Sequence, residues 1–249
     1  MRPQAQTQWK PDPSFARLTL GRRVVLLRRE ILRHAPTIVA ALRDKTSPGA
    51  WPGAGNRGSG YRLKLDGGPE LFARQARRGG LARFLLHETF FGISARPFNE
   101  VIVATKAFRR GVPVAEPMGA MAWWLAPGMY RGFFLSRAIA GMTLWDFVCT
   151  DDDPIVLKHV LMAARVAIVT MHDKGVFHAD LNLHNLMVTP AGESFKVMIV
   201  DLDKARIYDA SLHPSLRSAN ARRLLRSARK LDPAGRYFDA SALSILDVS

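Results

Sequence analysis

The fold of this chain is decided by residues 175–204, which read GVFHADLNLHNLMVTPAGESFKVMIVDLDK. Apolar runs in this stretch alternate with a polar cluster and with a turn around Pro190 and Gly192. Short apolar runs on both sides of a Pro/Gly turn predict a small β-hairpin. The hairpin would bring Asp201, which follows its second strand, back beside Asp180 and Asn185. Two carboxylates and an amide oxygen are hard ligands that suit Mg²⁺, a cation that usually keeps waters and bridges substrate phosphates.

The polar cluster has the spacing of a kinase catalytic loop, H-x-D-L-x-x-x-N, which precedes a metal-binding Asp on the next strand. His178, Asp180 and Asn185 occupy the polar positions of this motif, and Leu181 occupies the apolar one. An isolated H-x-D would be weak evidence, but the full set with an apolar strand and Asp201 downstream is specific. The alternative is a polar turn that caps a hairpin, in which Asp and Asn act as turn formers.

Composition sets wider limits on the kind of protein. A chain of 249 residues with 48% hydrophobic residues can form one large or two small domains with an ample core. The net charge of +15 favours an anionic partner, such as nucleic acid, anionic lipid or a phosphorylated substrate, unless it only aids solubility. A single cysteine, Cys149, predicts a reducing cytoplasm. We expect neither a membrane span nor a secretory signal, because the apolar stretches are short and the N-terminus lacks an apolar core.

Residues 1–48 are expected to form an N-terminal extension with a basic helix. Apolar residues recur through Gly21–Asp44 at helical spacing, and arginines cluster near its start. Pro36 should break or kink this helix. A basic amphipathic helix either lies on an anionic membrane or packs its apolar stripe on the protein.

Residues 49–136 are expected to be rich in strands. They begin with a glycine-rich run in which Gly55, Gly58 and Gly60 could let backbone N–H groups approach phosphates. The alternative for this run is a flexible connector. Two strands with a turn between them should follow the glycines, at Tyr61–Leu65 and Leu71–Gln75.

Arg74 stands on the second of these strands, where a kinase carries a Lys that contacts the α- and β-phosphates of ATP. Arginine is always charged and can fork onto phosphate oxygens, although an ordinary surface arginine is the alternative. Glu100, on a helix predicted over Pro97–Arg109, would pair with Arg74. Glu88 is a less well placed competitor.

Residues 137–249 are expected to form a helical part that follows a hinge at Arg137–Gly141. Long helices are predicted at Ile155–Lys174 and, with many basic residues, at Leu216–Leu231. The chain lacks the long activation segment and A-P-E motif of protein kinases, and Ala179 replaces the Arg of H-R-D. These absences favour a compact kinase for a small molecule or a glycolipid.

The chain resembles the lipopolysaccharide kinase family, and within it the kinases of 3-deoxy-D-manno-octulosonic acid (Kdo). The resemblance rests on residues 178–185 and 200–204, and less specifically on 77–81 and 220–227. It implies an α+β, two-lobed protein-kinase-like fold with a β-rich N-lobe and a compact helical C-lobe. It also implies transfer of phosphate from ATP, with Mg²⁺, to Kdo on a lipid A precursor. A peripheral location at the cytoplasmic face of the bacterial inner membrane follows from the same resemblance.

The resemblance also implies a role for each site residue. Asp180 would orient the sugar hydroxyl and accept its proton, and His178 would brace the loop. Asn185 and Asp201 would hold Mg²⁺. Arg74, held by Glu100, would steady the nucleotide phosphates. The roles of Asp203 and Lys204, the acceptor hydroxyl and the oligomeric state stay open.

Several alternatives remain at the level of sequence. The acceptor could be another sugar, such as a lipopolysaccharide heptose, or an unrelated small molecule. A non-catalytic, basic, kinase-like binding protein is a more distant possibility, although no nucleic-acid-binding motif is present and no specific nucleic acid is expected. The basic helix either meets the anionic glycolipid or membrane or is simply a solvated face. Its basic residues are Arg222, Arg223, Arg226, Arg229 and Lys230.

Overall fold

The computed structural model describes residues 12–44, 60–76, 90–92, 95–151, 153–192 and 194–249. These residues form two compact units. The first, which we call the sheet unit, comprises the described residues within Gln8–Thr105 and Glu116–Ala138. The second, the helical unit, has its described residues in Lys106–Ala115 and Ile139–Ser249. Along the described residues the chain passes between the units three times, and the last passage, from Ala138 to Ile139, lies inside the segment predicted to be a hinge.

The sheet unit is built on an antiparallel sheet with the strand order β1-β2-β6-β7-β4-β3, and a short β5 also pairs with β7. The strands are β1 (Phe15–Leu20), β2 (Arg23–Arg28), β3 (Gly60–Lys64), β4 (Glu70–Gln75), β5 (Phe90–Phe91), β6 (Pro117–Ala126) and β7 (Met129–Arg137). A 3₁₀ helix (Arg29–His34) and α1 (Ala35–Asp44) follow β2 and bury one face of the sheet, with Ile31 and Ile38 packed among strand residues. The other face packs on α2 (Arg96–Arg109) through Val101.

The helix predicted over Gly21–Asp44 is wrong in its first part. Residues 23–28 form β2, which pairs with β1 and β6, and α1 begins only at Ala35. The four residues Val24–Leu27 are all buried. A continuous apolar run of this length is typical of a strand covered on both faces, and periodicity alone does not separate it from a helix. Pro36 lies in the first turn of α1, where a proline is tolerated. Residues 12–44 thus belong to the sheet unit and are not a separate extension.

The helical unit contains most of the remaining helices and two small sheets. Its helices are α3 (Leu144–Thr150), α4 (Pro154–Asp173), α5 (Pro214–Leu231) and α6 (Ala240–Leu246). One sheet joins β8 (Met142–Thr143), β10 (Leu186–Ala191) and β11 (Ser194–Ile199), and a second pairs β9 (Val176–Phe177) with β12 (Arg206–Ile207). The two long helices α4 and α5 lie where the sequence predicted them, as do β3, β4 and α2 earlier in the chain.

Helix α4 is the central helix of this unit. Asp153 caps its N-terminus by accepting hydrogen bonds from the N–H groups of Ile155 and Val156, and Pro154 starts the first turn. Within the part of the chain that the structure describes, α4 alone is long and apolar enough to cross a membrane. The helix buries an apolar face. Arg165, in its middle, donates hydrogen bonds to the backbone carbonyls of Ile245 and Asp247, near the end of the chain.

Candidate active site

The predicted hairpin is present and brings the ends of the decisive stretch together. Strands β10 and β11 pair with Leu186 opposite Ile199. Beyond that pair, the N–H of Val200 donates to the carbonyl of Asn185 at 3.0 Å. Asp201 is therefore one residue beyond a direct backbone contact with Asn185.

His178 connects the loop to the end of β11 through its ring. Its Nδ1 accepts a hydrogen bond from the N–H of Asp180 at 3.1 Å, and its Nε2 donates to the carbonyl of Val200 at 3.0 Å. These partners require the neutral ring with its proton on Nε2. Burial lowers the pKa of His178, although the bond to Val200 and the nearby charges of Asp201 and Asp180 oppose the shift. His178 is therefore a neutral brace between the residues that flank the site.

The side chains of Asn182 and Asn185 share one backbone acceptor, the carbonyl of Asp180. The carbonyl of Asp180 accepts hydrogen bonds from the side-chain amides of Asn182 at 2.8 Å and Asn185 at 2.9 Å. This contact commits the NH₂ group of Asn185, so its amide oxygen is the atom suited to a metal. Asp180 itself is exposed. Its backbone is thus fixed while its carboxylate is accessible to an incoming substrate.

Asp201 has a strained backbone. Among the described residues it is the one non-glycine residue with a positive φ, at 65°. Such a conformation costs an L-residue roughly 1–2 kcal/mol, and strain of this kind is concentrated at functional sites. The next residue, Leu202, is buried, and the chain reaches β12 at Arg206. From β12, which ends at Ile207, the chain reaches α5 at Pro214, so the connection that follows the metal-ligand candidate Asp201 is short.

The donor set fits a cation that arrives with a nucleotide. No group of three or more His, Cys, Asp or Glu side chains that could hold a metal occurs in the described ranges. Asn185 and Asp201 would instead supply two oxygens. Mg²⁺ in phosphoryl-transfer sites takes its remaining ligands from phosphates and water, so two protein ligands are sufficient.

The sheet unit contains the predicted ion pair between Arg74 and Glu100. Nη2 of Arg74, on β4, lies 2.6 Å and 2.7 Å from the two carboxylate oxygens of Glu100, on α2. Glu100 is 3% exposed and Arg74 is partly exposed. A buried carboxylate that binds an arginine in this way holds the guanidinium in one orientation. The competitor Glu88 lies outside the described residues.

The structure describes one of the three candidate glycines, Gly60. Gly55 and Gly58 lie outside the described residues, so their approach to phosphate stays a prediction. Gly60 is the first residue of β3 and pairs with Arg74. A Cβ at this position would collide with the tip of the Phe72 ring, so this ring would have to move to admit a larger residue.

Sequence reasoning assigned no role to Asn220, although this residue contacts the backbone of His178. Asn220 lies on the buried face of α5. A polar residue within an otherwise apolar helix face was the available signal. The opposite side of α5 carries five exposed cations, which we call the basic face: Arg222, Arg223, Arg226, Arg229 and Lys230.

Comparisons with known proteins show which family this chain resembles. The model of the lipopolysaccharide kinase (Kdo/WaaP) family matches residues 47–241. A 3-deoxy-D-manno-octulosonic acid kinase of Xylella fastidiosa (strain M12) is 29% identical over 181 residues, which are 71% of this chain and 68% of that protein. A protein of the same name from Stenotrophomonas maltophilia (strain R551-3) is 28% identical over 219 residues, covering 83% of this chain and 80% of the relative.

A solved structure extends the similarity to the fold. The chain described as "WaaP in complex with acyl carrier protein" aligns with a TM-score of 0.51 and 15% sequence identity, over 89% of this chain and 95% of that one. At this identity the match shows the fold alone, and it confirms the predicted α+β kinase-like fold. The family match covers most of the sequence and also indicates the activity, which is that of a kinase for lipopolysaccharide sugars, a class that uses ATP. The chain therefore belongs to the lipopolysaccharide kinase (Kdo/WaaP) family.

Proposed function

We propose that this protein transfers the γ-phosphoryl group of ATP to a hydroxyl of the Kdo sugar on a lipid A precursor. The observation that carries the proposal is the hydrogen-bonded loop in which His178 joins the backbone of Asp180 to Val200, the residue before Asp201. This arrangement holds a base candidate and a metal-ligand candidate on one rigid support. The names of the relatives supply the support for Kdo as the acceptor.

Asp180 is the residue that we propose acts on the acceptor. Its exposed carboxylate would accept a hydrogen bond from the sugar hydroxyl and orient the oxygen toward the γ-phosphorus. A loose phosphoryl transition state needs little base strength early, so the proton moves to Asp180 late in the reaction. The backbone contacts of Asp180 to His178 and Asn185 keep this geometry fixed.

The amide oxygen of Asn185 and the carboxylate of Asp201 would hold Mg²⁺. When bound, this ion neutralises charge on the β- and γ-phosphates as the transition state forms. In the sheet unit, Arg74 would steady the α- and β-phosphates in the orientation that Glu100 gives it. The backbone N–H groups of Gly55 and Gly58 would approach the phosphates. Gly60 follows them closely in the sequence.

The basic face of α5 supports a glycolipid partner at a membrane surface. Five exposed cations lie within Arg222–Lys230 on a single helix. Near an anionic leaflet each basic residue adds about 1 kcal/mol of attraction. Together they would hold the protein reversibly on the cytoplasmic face of the inner membrane, where the acceptor lipid is exposed. We expect no sequence-specific nucleic acid binding.

An acceptor comparison tests the proposal. Purified protein is given Mg-ATP and one of three glycolipids: a Kdo-bearing lipid A precursor, the same precursor without Kdo, or a core carrying heptose. We expect transfer to the first, with the added phosphate on the Kdo residue by mass spectrometry, and no transfer to the second.

The other outcomes distinguish the alternatives. Preferential transfer to the heptose-bearing core would mean that heptose is the acceptor instead of Kdo. The assignment to the kinase family would still hold. Failure to bind ATP at all would favour the non-catalytic kinase-like reading.

A further inference from the structure

One end of the sheet unit presents apolar and cationic side chains at the surface. The turn between β1 and β2 and the turn between β6 and β7 both lie at this end, because β2 pairs with β6 from Arg23 opposite Trp123 onward. The short strand β5 also lies here, with Phe91 opposite Met129. We call this end the aromatic edge, and we define it by Leu20, Arg22, Arg23, Phe91, Trp123 and Trp124, together with residues 125–127 of the β6–β7 turn.

The two turns of the aromatic edge are joined by backbone and side-chain contacts. The N–H of Trp124 donates to the carbonyl of Arg22 at 2.8 Å, and Nη1 of Arg22 donates to the carbonyl of Leu125 at 3.3 Å. The guanidinium of Arg23 lies 4.9 Å from the centre of the Trp123 ring, within the range of a cation–π contact. The edge is therefore one continuous surface built from neighbouring strands.

The aromatic edge exposes more apolar surface than its place at the end of a sheet requires. Leu20 is 41% exposed and Phe91 is 57% exposed, and both tryptophans are half-buried. An open depression of about 410 Å³ lies beside them and is lined by Arg22, Trp124, Leu125, Ala126 and Pro127. Single exposed apolar side chains are normal on a soluble protein, whereas a contiguous group of them marks an interaction surface.

The charges of the aromatic edge have one sign. Residues 20–25, 90–92 and 120–131, all of which the structure describes, include Arg22, Arg23 and Arg131 and contain no Asp or Glu. Arginines near a surface of this kind are attracted to anionic phospholipid headgroups. Tryptophan prefers the boundary between membrane and water, because its ring is apolar and its N–H is polar. The composition of the edge is therefore that of a surface which enters a bilayer interface.

We infer that the aromatic edge attaches to a bilayer that contains anionic phospholipid. A protein partner is the alternative occupant, since Trp and Arg are also frequent in protein interfaces. The bilayer is favoured because the exposed apolar side chains lie at or beside chain turns and are accompanied by cations alone. The edge belongs to the sheet unit and is separate from the basic face of α5. The inference goes beyond the proposed function and does not depend on which sugar is the acceptor.

Vesicle sedimentation with matched variants tests the inference. Ala126→Glu places a carboxylate at an exposed position of the edge, and Ala40→Glu makes the same change at an exposed position of α1. Arg22→Gln removes a cation from the edge, and Lys64→Gln removes an exposed cation at the opposite end of the sheet. We expect partitioning onto vesicles of phosphatidylcholine and phosphatidylglycerol to fall at least about tenfold in Ala126→Glu and about fivefold in Arg22→Gln. Both controls should stay within about twofold of wild type, because net charge alone does not decide the attachment.

Tryptophan fluorescence shows whether the edge itself enters the bilayer. Brominated acyl chains quench a tryptophan only when they contact it, so vesicles made with brominated phosphatidylglycerol should quench the wild-type emission. The variant Trp123→Phe/Trp124→Phe keeps two aromatic rings and leaves three of the five tryptophans of the chain. We expect this variant to lose most of the quenching. Thermal unfolding confirms that each variant is folded, and if the variant is not folded, wild-type emission that brominated vesicles leave unchanged overturns the inference.

The inference and the proposed function fail in different ways. Wild-type partitioning of Ala126→Glu, or equal quenching in the tryptophan variant, overturns the inference and leaves the edge for a protein partner. The proposed function is tested with the acceptor dispersed in detergent, where the edge variants should keep kcat within about twofold of wild type because no edge residue belongs to the candidate active site. Absence of transfer by wild type in detergent overturns the proposed function, and the vesicle comparison still decides the role of the edge.

Discussion

The buried ring of His172 predicts a specific loss of stability in mild acid. In the folded protein, burial lowers the pKa of His172 from its ordinary value of 6.5 to about 4. Between pH about 4 and about 6.5, His172 is therefore protonated in the unfolded chain and neutral in the folded protein. Stability from this group is complete above pH about 6.5 and is lost as the pH falls toward about 4. From the two pKa values, the loss is about 2 kcal/mol at pH about 5 and about 3 kcal/mol below pH about 4.

The comparison of wild type with His172→Gln isolates this contribution. Glutamine stays neutral and can still donate to Asn220, so the variant should lack the pH dependence that belongs to His172. The other titratable groups, including His178, are the same in both proteins, and so are the neighbouring charges Asp173 and Arg217, so their contributions largely cancel in the difference. The free energy of unfolding is measured by urea denaturation between pH about 7.5 and about 5.

We expect the stability of wild type relative to His172→Gln to fall by about 2 kcal/mol across this range. A difference that stays constant with pH would refute the reasoning, because it would mean that His172 takes up its proton equally well in the folded and unfolded states. A shift of the opposite sign would show that the ring is charged in the folded protein.

Three further predictions concern other parts of the molecule. Glu100→Gln should raise KM for ATP and cost about 2 kcal/mol of unfolding free energy, because Arg74 loses its carboxylate partner in a partly buried place; unchanged KM and stability would contradict the proposed role of the pair. Gly175→Ala should destabilise more than Gly192→Ala, by at least about 1 kcal/mol in chemical denaturation, because both have a positive φ but only a Cβ at Gly175 meets backbone carbonyls; equal costs would exclude the collision. Replacing all five basic-face residues by Gln should abolish sedimentation with vesicles containing anionic lipid, while wild type should bind these and not pure phosphatidylcholine vesicles; binding by the variant would remove the basic face from the membrane proposal.

The site in the helical unit was predictable from sequence because it is local. His178, Asp180 and Asn185 lie within eight residues, and one short hairpin is enough to return the chain to Asp201. Turn residues and apolar runs specify such a hairpin without reference to the rest of the fold. The pairing of Arg74 with Glu100 spans 26 residues, yet it could be predicted because a kinase motif fixes both positions.

Long-range packing limited the rest of the prediction. The run Val24–Leu27 fits a helix or a strand equally well, and its pairing with β1 and with β6, which is about a hundred residues away, decides for the strand. Asn220 was visible as a polar residue in an apolar helix face, but its partners in α4 and in the loop are 48 and 42 residues away. The sequence alone does not show with which buried groups such a side chain forms hydrogen bonds.

The central claim is that the loop from His178 to Asp201 carries out phosphoryl transfer. The most direct measurement is transfer of phosphate from Mg-ATP to the Kdo-bearing lipid A precursor by wild type, Asp180→Ala and Asp201→Ala, with Asp66→Ala as an exposed control in the sheet unit. We predict that both loop variants lose activity by at least about 1,000-fold with unchanged unfolding curves, while the control matches wild type. Activity near the wild-type level in either folded loop variant would contradict the account.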